Sequence, residues 1–216
     1  MKKEFYRKPE KITEKWPGEL EMFAWEDFLT AIPSPIFLAT SYKQNGRENA
    51  CLQSWATFVG NNESLFCILA AVNRNGHFYE SLTRSGVCVL NFASAEYYDK
   101  CMATITNNGM DDDEITKSGF TSEPAITVNA PRIAECFLNI ECELAWQREL
   151  QEGSPSMTIA LKARHITMDE SHYNESLKGR YGKTGYIYNI HSPRNPDTGQ
   201  SLDDSLGILE ILKKMT

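Results

Sequence analysis

Residues 74–77, Arg-Asn-Gly-His, combine side chains that bind anions with a signal for the start of a helix. The apolar stretch 64–72 is predicted to be a strand, and residues 76–85 a short helix with Asn75 as its N-cap and Gly86 beyond its end. The first N–H groups of a helix are unpaired, and its N-terminus attracts negative charge. The guanidinium adds a planar fork that matches phosphate oxygens. This spacing predicts a site for a phosphate-bearing cofactor.

Most of the elements that would position this turn are strands joined by hairpins. Strands are predicted at residues 34–41, 48–54, 64–72, 87–92, 136–146 and 157–167. Asn45-Gly46 is a strong hairpin signal between the first two. Alternation over residues 136–146 places Glu141 and Glu143 on a polar face, solvated or turned toward a second subunit. Six or seven such strands with few helices predict a single domain built on an antiparallel barrel.

Short helices complete the predicted elements. They are expected at residues 25–32, 94–105, 114–118 and 205–214. Gly119 is expected to end the third of them, and the fourth is amphipathic. The acidic run 111–114 lacks the spacing of an EF-hand and is expected to be a solvated loop.

Composition and charge limit the classes of partner that the protein could bind. The 216 residues are 41% apolar and 24% charged, with a net charge of -7 and a pI of about 5.2. An acidic surface repels phosphate backbones, which argues against nucleic-acid binding. No apolar run is long enough to cross a bilayer, and the basic N-terminus lacks the apolar stretch of a signal peptide. A cytoplasmic location without membrane partners is therefore expected.

The six cysteines and four histidines indicate neither disulfides nor a metal site. Most cysteines lie in apolar, strand-like runs without C-x-x-C spacing, so buried reduced thiols are the better interpretation. The histidines are scattered and have no metal-ligand spacing. No catalytic acid, base or nucleophile constellation is recognisable.

Several motifs in a fixed order resemble one known family. They are SPIFLATS, NGRENACLQSWATF, HFYESL and VCVLNF, followed by DDDEITKSGFT and by APRIAECFLNIEC at residues 130–142. Together they span roughly residues 31–170. The chain resembles the flavin reductase-like proteins with an FMN-binding split barrel, and within them the flavoredoxin-type members.

The resemblance implies a mainly β fold, a six-stranded antiparallel split β-barrel with a few short peripheral helices. It divides the chain into an N-terminal arm with a short helix at residues 1–30, an FMN-binding split-barrel domain at 31–190, and a C-terminal tail with a short helix at 191–216. A homodimer that binds one FMN per subunit is also implied. Segment 49–55 would lie along the flavin ring and ribityl chain, and segment 72–79 would hold the phosphate.

The cofactor-binding residues expected from the resemblance are Asn49, Cys51, Leu52, Gln53, Ser54, Trp55, Val72, Asn73, Arg74, His77 and Phe78. The residues themselves leave simpler interpretations open. Asn49 and Ser54 are equally typical of ordinary polar strand and turn positions, and Trp55 of a packing aromatic. Cys51 is an isolated thiol, which is more often inert than catalytic. Taken without the resemblance, Arg74 and His77 are typical of solvated loop residues.

The implied function is an FMN-binding oxidoreductase that moves hydride or electrons between NAD(P)H, bound FMN and an unknown acceptor. One alternative is an FMN-binding electron-transfer protein that serves partner proteins without NAD(P)H turnover. Another is a non-enzymatic flavin- or haem-binding protein.

Overall fold

The computed structural model describes residues 1–173, 179–202 and 206–212. The chain forms two compact units. One comprises Met1–Ser34 and Tyr188–Gly207, and the other comprises Pro35–Ile187 and Ile208–Thr216. The second unit contains every residue expected to bind a cofactor. Among the described residues, no helix is both long enough and apolar enough to cross a bilayer.

The regular elements are mainly strands. The strands are β1 (Ser34–Pro35), β2 (Phe37–Tyr42), β3 (Glu48–Gln53), β4 (Ala56–Gly60), β5 (Leu65–Asn73), β6 (Val87–Phe92), β7 (Ser122–Pro124), β8 (Pro131–Ile133), β9 (Leu138–Glu149), β10 (Ser156–Met168), β11 (Ile187–Asn189) and β12 (Leu206–Ile208). The α-helices are α1 (Glu19–Met22), α2 (Trp25–Thr30), α3 (His77–Ser85), α4 (Tyr98–Thr106) and α5 (Glu114–Lys117). Two 3-10 turns lie at Ala95–Tyr97 and Gly182–Thr184.

The main sheet of the second unit is antiparallel, with the strand order β3-β2-β6-β9-β10-β5-β4. The hairpin predicted at Asn45-Gly46 joins β2 to β3, where Lys43 N donates to Arg47 O at 2.8 Å and Gly46 takes a φ of 83°. A positive φ suits glycine at such a turn. The predicted antiparallel, mainly β architecture is thus confirmed.

The sheet has seven strands, within the six or seven that the sequence predicted, whereas the ranges assigned from the sequence and the barrel implied by the resemblance numbered six. The additional strand is β4, which lies at the sheet edge and is largely exposed, so it lacks the apolar signal of a buried strand. Ser54 and Trp55 separate β4 from β3. Their carbonyl groups accept hydrogen bonds from Ala56 N at 2.9 Å and Ala70 N at 2.8 Å, which direct β4 along β5.

Strands β2 and β3 have apolar residues on both faces, and each face packs against a different helix layer. On one face, Phe37 joins a core that includes Phe78 and Leu82 of α3. On the other face, Leu38 and Ala50 pack in a second cluster with side chains of α4 and α5. Burying each large apolar side chain stabilises the fold by about 1.5–3 kcal/mol. This hairpin is therefore held between α3 and the α4–α5 segment.

The predicted polar face of β9 is buried near its start, where Leu138 to Cys142 are all buried. Glu141 has no exposed surface, and the expectation of a solvated or subunit-facing surface is wrong for this residue. Its carboxylate accepts the N–H groups of Ile126 at 2.7 Å and Thr127 at 2.6 Å, so it holds the loop between β7 and β8 over the sheet. Glu143 is partly exposed and pairs with Arg164 at 2.6 Å.

The helix predicted at residues 94–105 is confirmed as the first 3-10 turn followed by α4. The helix predicted at residues 114–118 is confirmed as α5. Helix α2 is two residues shorter than predicted, because Ala31 takes a left-handed φ of 46°. The helix predicted over residues 205–214 is wrong where it can be compared: Leu206–Ile208 form strand β12, and residues 209–212 have no regular structure. Ser205, Lys213 and Lys214 lie outside the described residues.

The first unit is organised around Arg194, whose side chain is 2% exposed. Its guanidinium pairs with Glu19, donates from Nη1 to Thr13 O at 2.5 Å and lies 4.0 Å from the ring centroid of Phe28. Such a cation–π contact stabilises most where water is excluded. The charged N-terminal segment thus contains a buried ion pair within its own unit.

We expect Glu141→Gln to destabilise the protein by about 2–3 kcal/mol at pH 7, since hydrogen bonds to a buried charged acceptor are stronger than neutral ones. Burial alone would raise the pKa of Glu141. The net shift is nevertheless below the ordinary value, because the carboxylate accepts hydrogen bonds from the Thr127 hydroxyl and from the N–H groups of Ile126 and Thr127, and because His165 lies nearby. A lowered carboxyl pKa stabilises the fold above the unfolded-state value of 4.5, and this stabilisation is lost as the pH falls further.

Urea unfolding at pH 7 and pH 3.5 measures this effect, with Glu143→Gln as the control on the same strand. The two variants should differ at pH 7 and converge at pH 3.5. Equal stability of both variants at pH 7 would contradict the role assigned to Glu141.

Candidate functional site

The start of α3 offers backbone N–H groups that no side chain caps. Gly76 is the N-cap, not Asn75 as predicted. The Asn73 side chain accepts Asn75 N at 2.9 Å, and its backbone carbonyl accepts Gly76 N at 3.1 Å. These bonds complete a turn before the helix begins, so Gly76 takes the extended backbone of an N-cap residue. The uncapped first turn is suited to an anion.

His77, the first residue of α3, lies at this end with its side chain 22% exposed. Its Nδ1 is 3.0 Å from Asn108 Oδ1 and 3.6 Å from Glu114 Oε1. Both ring contacts within the described residues are made by Nδ1, which leaves Nε2 for solvent or a ligand. Phe78, the next residue, is buried in the core beneath the helix and anchors it there.

Glu114, the first residue of α5, connects the start of α3 to strand β3. Its side chain is 1% exposed, and Oε2 accepts the backbone N–H of Ala50 at 2.8 Å. Oε1 lies 2.6 Å from Nζ of Lys43, whose side chain is also 1% exposed. The Lys43 ammonium further donates to the carbonyl oxygens of Gly109 at 2.7 Å and Asp112 at 2.9 Å. The solvated loop predicted for this acidic run is therefore wrong for Glu114.

Strand β3 contains a buried polar group with no partner. Asn49 is 1% exposed, and its Nδ2 has no hydrogen-bond partner among the described residues. Ser41 lies directly opposite in the β2–β3 ladder, and its Oγ is buried without a partner as well. Buried polar atoms are almost always hydrogen-bonded. Two neighbouring exceptions therefore mark a place where a polar group of a ligand or a water molecule would be held.

The other residues expected on the ring side of a flavin divide between the two faces of β3. Cys51 and Gln53 share a face with Asn49, and Gln53 Nε2 donates to Cys51 Sγ at 3.0 Å. Leu52 points to the opposite face and packs in the second apolar cluster. Ser54 is buried just after the strand.

The Cys51 thiol is protonated at neutral pH. Burial raises the pKa of this thiol to about 11, although the hydrogen bond from Gln53 opposes the rise. A neutral thiol is a weak nucleophile, so Cys51 is suited to contact and not to covalent chemistry. All six cysteines are free, and the five others are buried as predicted.

Arg74 does not meet His77. Its guanidinium pairs with Glu149 at the end of β9, and Nε lies 3.1 Å from Sδ of Met157. The Arg74 side chain is 40% exposed, so this ion pair lies at the surface. Val72, two residues earlier on β5, is buried in the core. The sequence motifs thus point to residues on both sides of the α3 start but not to Glu114, Lys43, Asn108 or Glu149.

Glu48, next to Asn49, holds a proton more tightly than an ordinary carboxyl group. Burial raises the pKa of Glu48 to about 7; a hydrogen bond with Ser122 lowers it, and the neighbouring Asp113 carboxyl adds to the rise. Two carboxyl groups side by side avoid repulsion when one stays protonated. In the part of the chain that the structure describes, no group of three or more His, Cys, Asp or Glu side chains could hold a metal ion.

Comparison with known proteins places the chain in a family. Residues 29–177 match the family model described as flavin reductase like domain. The chain is 26% identical over 145 residues to an uncharacterized protein of Methanothermobacter thermautotrophicus, covering 66% of this chain and 67% of that protein. The protein belongs to the flavin reductase-like family, as the sequence motifs suggested.

Solved structures show the same fold over nearly the whole chain. Flavoredoxin of Desulfovibrio vulgaris (Miyazaki F) superposes with a TM-score of 0.68 at 19% identity, covering 94% of this chain and 97% of that one. Flavoredoxin from Methanosarcina acetivorans gives 0.62 at 20% identity, covering 94% and 95%. A Shewanella frigidimarina NCIMB 400 protein described as having a split barrel domain gives 0.70 at 13% identity, covering 94% and 98%. The second unit is thus a split barrel.

We expect Glu48→Gln to stabilise the protein at pH 8. Because the pKa of Glu48 is raised, its protonated carboxyl group stabilises the fold fully only below pH 4.5, and this stabilisation is lost as the pH rises through about 7. Glu48 is partly exposed, which reduces the effect to about 1 kcal/mol, or roughly 2–4 °C in melting temperature. Thermal unfolding at pH 8 and pH 4.5 tests this, with the exposed Glu63→Gln as the control. A gain at pH 4.5 as large as at pH 8 would show that ionisation is not its cause.

Proposed function

We propose that this protein binds FMN and acts as an oxidoreductase of the flavoredoxin type. The observation that carries the proposal is the uncapped start of α3, where Nε2 of His77 is free. Glu114 connects this helix start to strand β3, which contains the unpartnered Asn49. One end of this arrangement suits a phosphate and the other suits the polar edge of a flavin ring. Membership of the flavin reductase-like family supports the same assignment.

The proposed phosphate site favours FMN over FAD. FMN ends in a phosphomonoester, which has a charge close to -2 at neutral pH, whereas each phosphate of FAD is one half of a pyrophosphate bridge and has a single charge. The N–H groups and positive end of α3, with His77 as its first residue, concentrate donors at one point. A compact dianion gains most from such a site.

The residues of β3 would hold the ring portion. Asn49 Nδ2 would donate to a ring acceptor, and Cys51 and Gln53 would line the same face. Bound FMN supplies hydride or electron transfer, so the protein needs to bind, orient and exclude water. None of these tasks needs a nucleophile, so they are compatible with a neutral Cys51 thiol.

We propose NAD(P)H as the electron donor and a homodimer as the assembly, as the resemblance to flavoredoxins implies. Steady-state oxidation of NADH and NADPH by the FMN-loaded protein tests the first. Stoichiometric reduction without turnover would instead favour an electron-transfer protein. Light scattering gives the mass of the assembly.

The visible spectrum of the purified, FMN-loaded protein tests the cofactor directly. We expect the absorption bands of oxidised flavin to remain with the protein after gel filtration. A protein that retains no flavin after incubation with excess FMN, or that retains haem instead, would contradict the proposal.

We propose that the Arg74 guanidinium exchanges Glu149 for the phosphate when FMN binds; Arg74→Ala should then weaken FMN binding by about 1.5–3 kcal/mol, because that charge-assisted hydrogen bond is lost. Arg164→Ala is the matched control, since Arg164 also forms a partly exposed pair with a glutamate on β9. Glu149→Gln should strengthen FMN binding by up to about fivefold, because it frees Arg74 from a surface ion pair. Fluorescence titration measures all three. Unchanged affinity in Arg74→Ala would remove Arg74 from the site.

A further inference from the structure

Two carboxyl groups meet where the loop before α5 packs against strand β3. Glu48 is the first residue of β3, and Asp113 directly precedes α5. Oε2 of Glu48 and Oδ1 of Asp113 are buried, and neither atom has a hydrogen-bond partner among the described residues. The Asp113 carboxyl lies within hydrogen-bonding reach of Glu48. Two buried acceptors that face each other are satisfied when one of them holds a proton.

The hydrogen bond from Ser122 of β7 indicates which oxygen of Glu48 holds that proton. The Ser122 hydroxyl donates to Oε1 of Glu48, which leaves Oε2 as the protonated oxygen. Tyr42 lies opposite Glu48 in the β2–β3 ladder. Burial, followed by the Glu48 and Asp113 carboxyl groups, raises the pKa of the Tyr42 hydroxyl, so this neighbour stays neutral. The bond therefore runs from Oε2 of Glu48 to Oδ1 of Asp113.

The cations on the surrounding elements are engaged with other groups. Among the described residues, the ion pairs around the two carboxyl groups are Lys43 with Glu114, Lys117 with Asp112, and Arg132 with Glu123. Arg84, at the end of α3, donates to the backbone carbonyl of Tyr42 at 2.6 Å, and Arg47 is exposed. Loss of the shared proton thus leaves two like charges side by side, which repel each other.

The loop at residues 107–113 is exposed over residues 108–111, so few contacts hold it in place. Lys43 Nζ donates to the carbonyl oxygens of Gly109 and Asp112, and Asn45 Nδ2 donates to that of Met110 at 2.9 Å. These bonds use backbone acceptors, which do not titrate. The bond between Glu48 and Asp113 is different, because it exists only while one proton is bound.

We propose that Glu48 and Asp113 share one proton, and that this bond is a latch that holds residues 107–113 against β3 and opens when the proton is lost to solvent. Asn108 of the same loop contacts His77, so opening of the latch changes the surroundings of the start of α3. The latch involves the protein alone and needs no flavin.

The direction of the pH dependence follows from the carboxyl groups. Burial raises the pKa of Glu48 to about 7; the hydrogen bond from Ser122 opposes the rise, and Asp113 adds to it. A raised carboxyl pKa stabilises the closed loop fully below the ordinary value of 4.5, and this stabilisation is lost as the pH rises through about 7. The latch is therefore closed in mild acid and open in mild alkali.

Hydrogen exchange with mass spectrometry on the ligand-free protein, corrected for intrinsic exchange rates, tests the latch. Protection of peptides that cover residues 107–118 should fall roughly fivefold to tenfold between pH 5 and pH 8, a range that allows for the partial exposure of Glu48. Peptides from β9 and β10 should keep their protection. Equal protection of residues 107–118 at both pH values would overturn the inference.

Amide substitutions should keep the latch closed at both pH values. Glu48→Gln and Asp113→Asn each place an N–H donor between the two side chains, so protection of residues 107–118 should be the same at pH 5 and pH 8. Asp111→Asn, at an exposed position in the same loop, is the matched control and should behave as the unsubstituted protein. His77→Gln should also keep the pH dependence, which excludes the imidazole as its source. A pH-dependent loss that persists in Glu48→Gln would contradict the latch.

Carbon-13 NMR of the Glu48 carboxyl group separates a shared proton from simple burial. In Asp113→Asn the pKa of Glu48 should fall toward 4.5, because a like charge is removed and the new amide donates to the charged form. An unchanged titration of Glu48 would show that burial alone holds the proton and would also overturn the inference. Flavin binding enters none of these measurements, so their failure leaves the proposed function intact.

Discussion

The candidate site depends on one buried carboxylate. Glu114 and Lys43 form an ion pair with side chains that are almost completely buried. Charges in such a place are tolerated only when they are paired and hydrogen-bonded, and removal of one partner typically costs about 3–5 kcal/mol. Glu114 meets this requirement through the N–H of Ala50, and Lys43 through the carbonyl oxygens of Gly109 and Asp112. The pair therefore fixes α5 and its preceding loop against the β2–β3 hairpin.

That constraint also fixes the two ends of the site relative to each other. Ala50 lies between Asn49 and Cys51 on the strand that would face a flavin ring, and His77 lies where a phosphate would bind. One carboxylate approaches both Ala50 and His77. A site that is already arranged loses less conformational freedom when a ligand binds. Rigid spacing between phosphate and ring positions is what a cofactor of fixed length requires.

The sequence predicted the features that depend on local signals. The hairpin at Asn45-Gly46, the strands of the main sheet other than β4 and the end of α3 at Gly86 all follow from turn chemistry and periodicity. It did not predict burial of Glu114 and Glu141, because each is buried by a segment distant along the chain. Strand β4 was missed since an exposed edge strand has little apolar signal. Of these, only Glu114 had a local hint: a helix start just before the buried Ile115.

We propose that the phosphate of FMN binds at the first turn of α3. A crystal structure of the protein with bound FMN tests it most directly. We predict phosphate oxygens within hydrogen-bonding distance of the backbone N–H groups at the start of α3 and of His77 Nε2, with the ring against the Asn49 face of β3. A phosphate located away from that turn, with the ring elsewhere, would contradict the account.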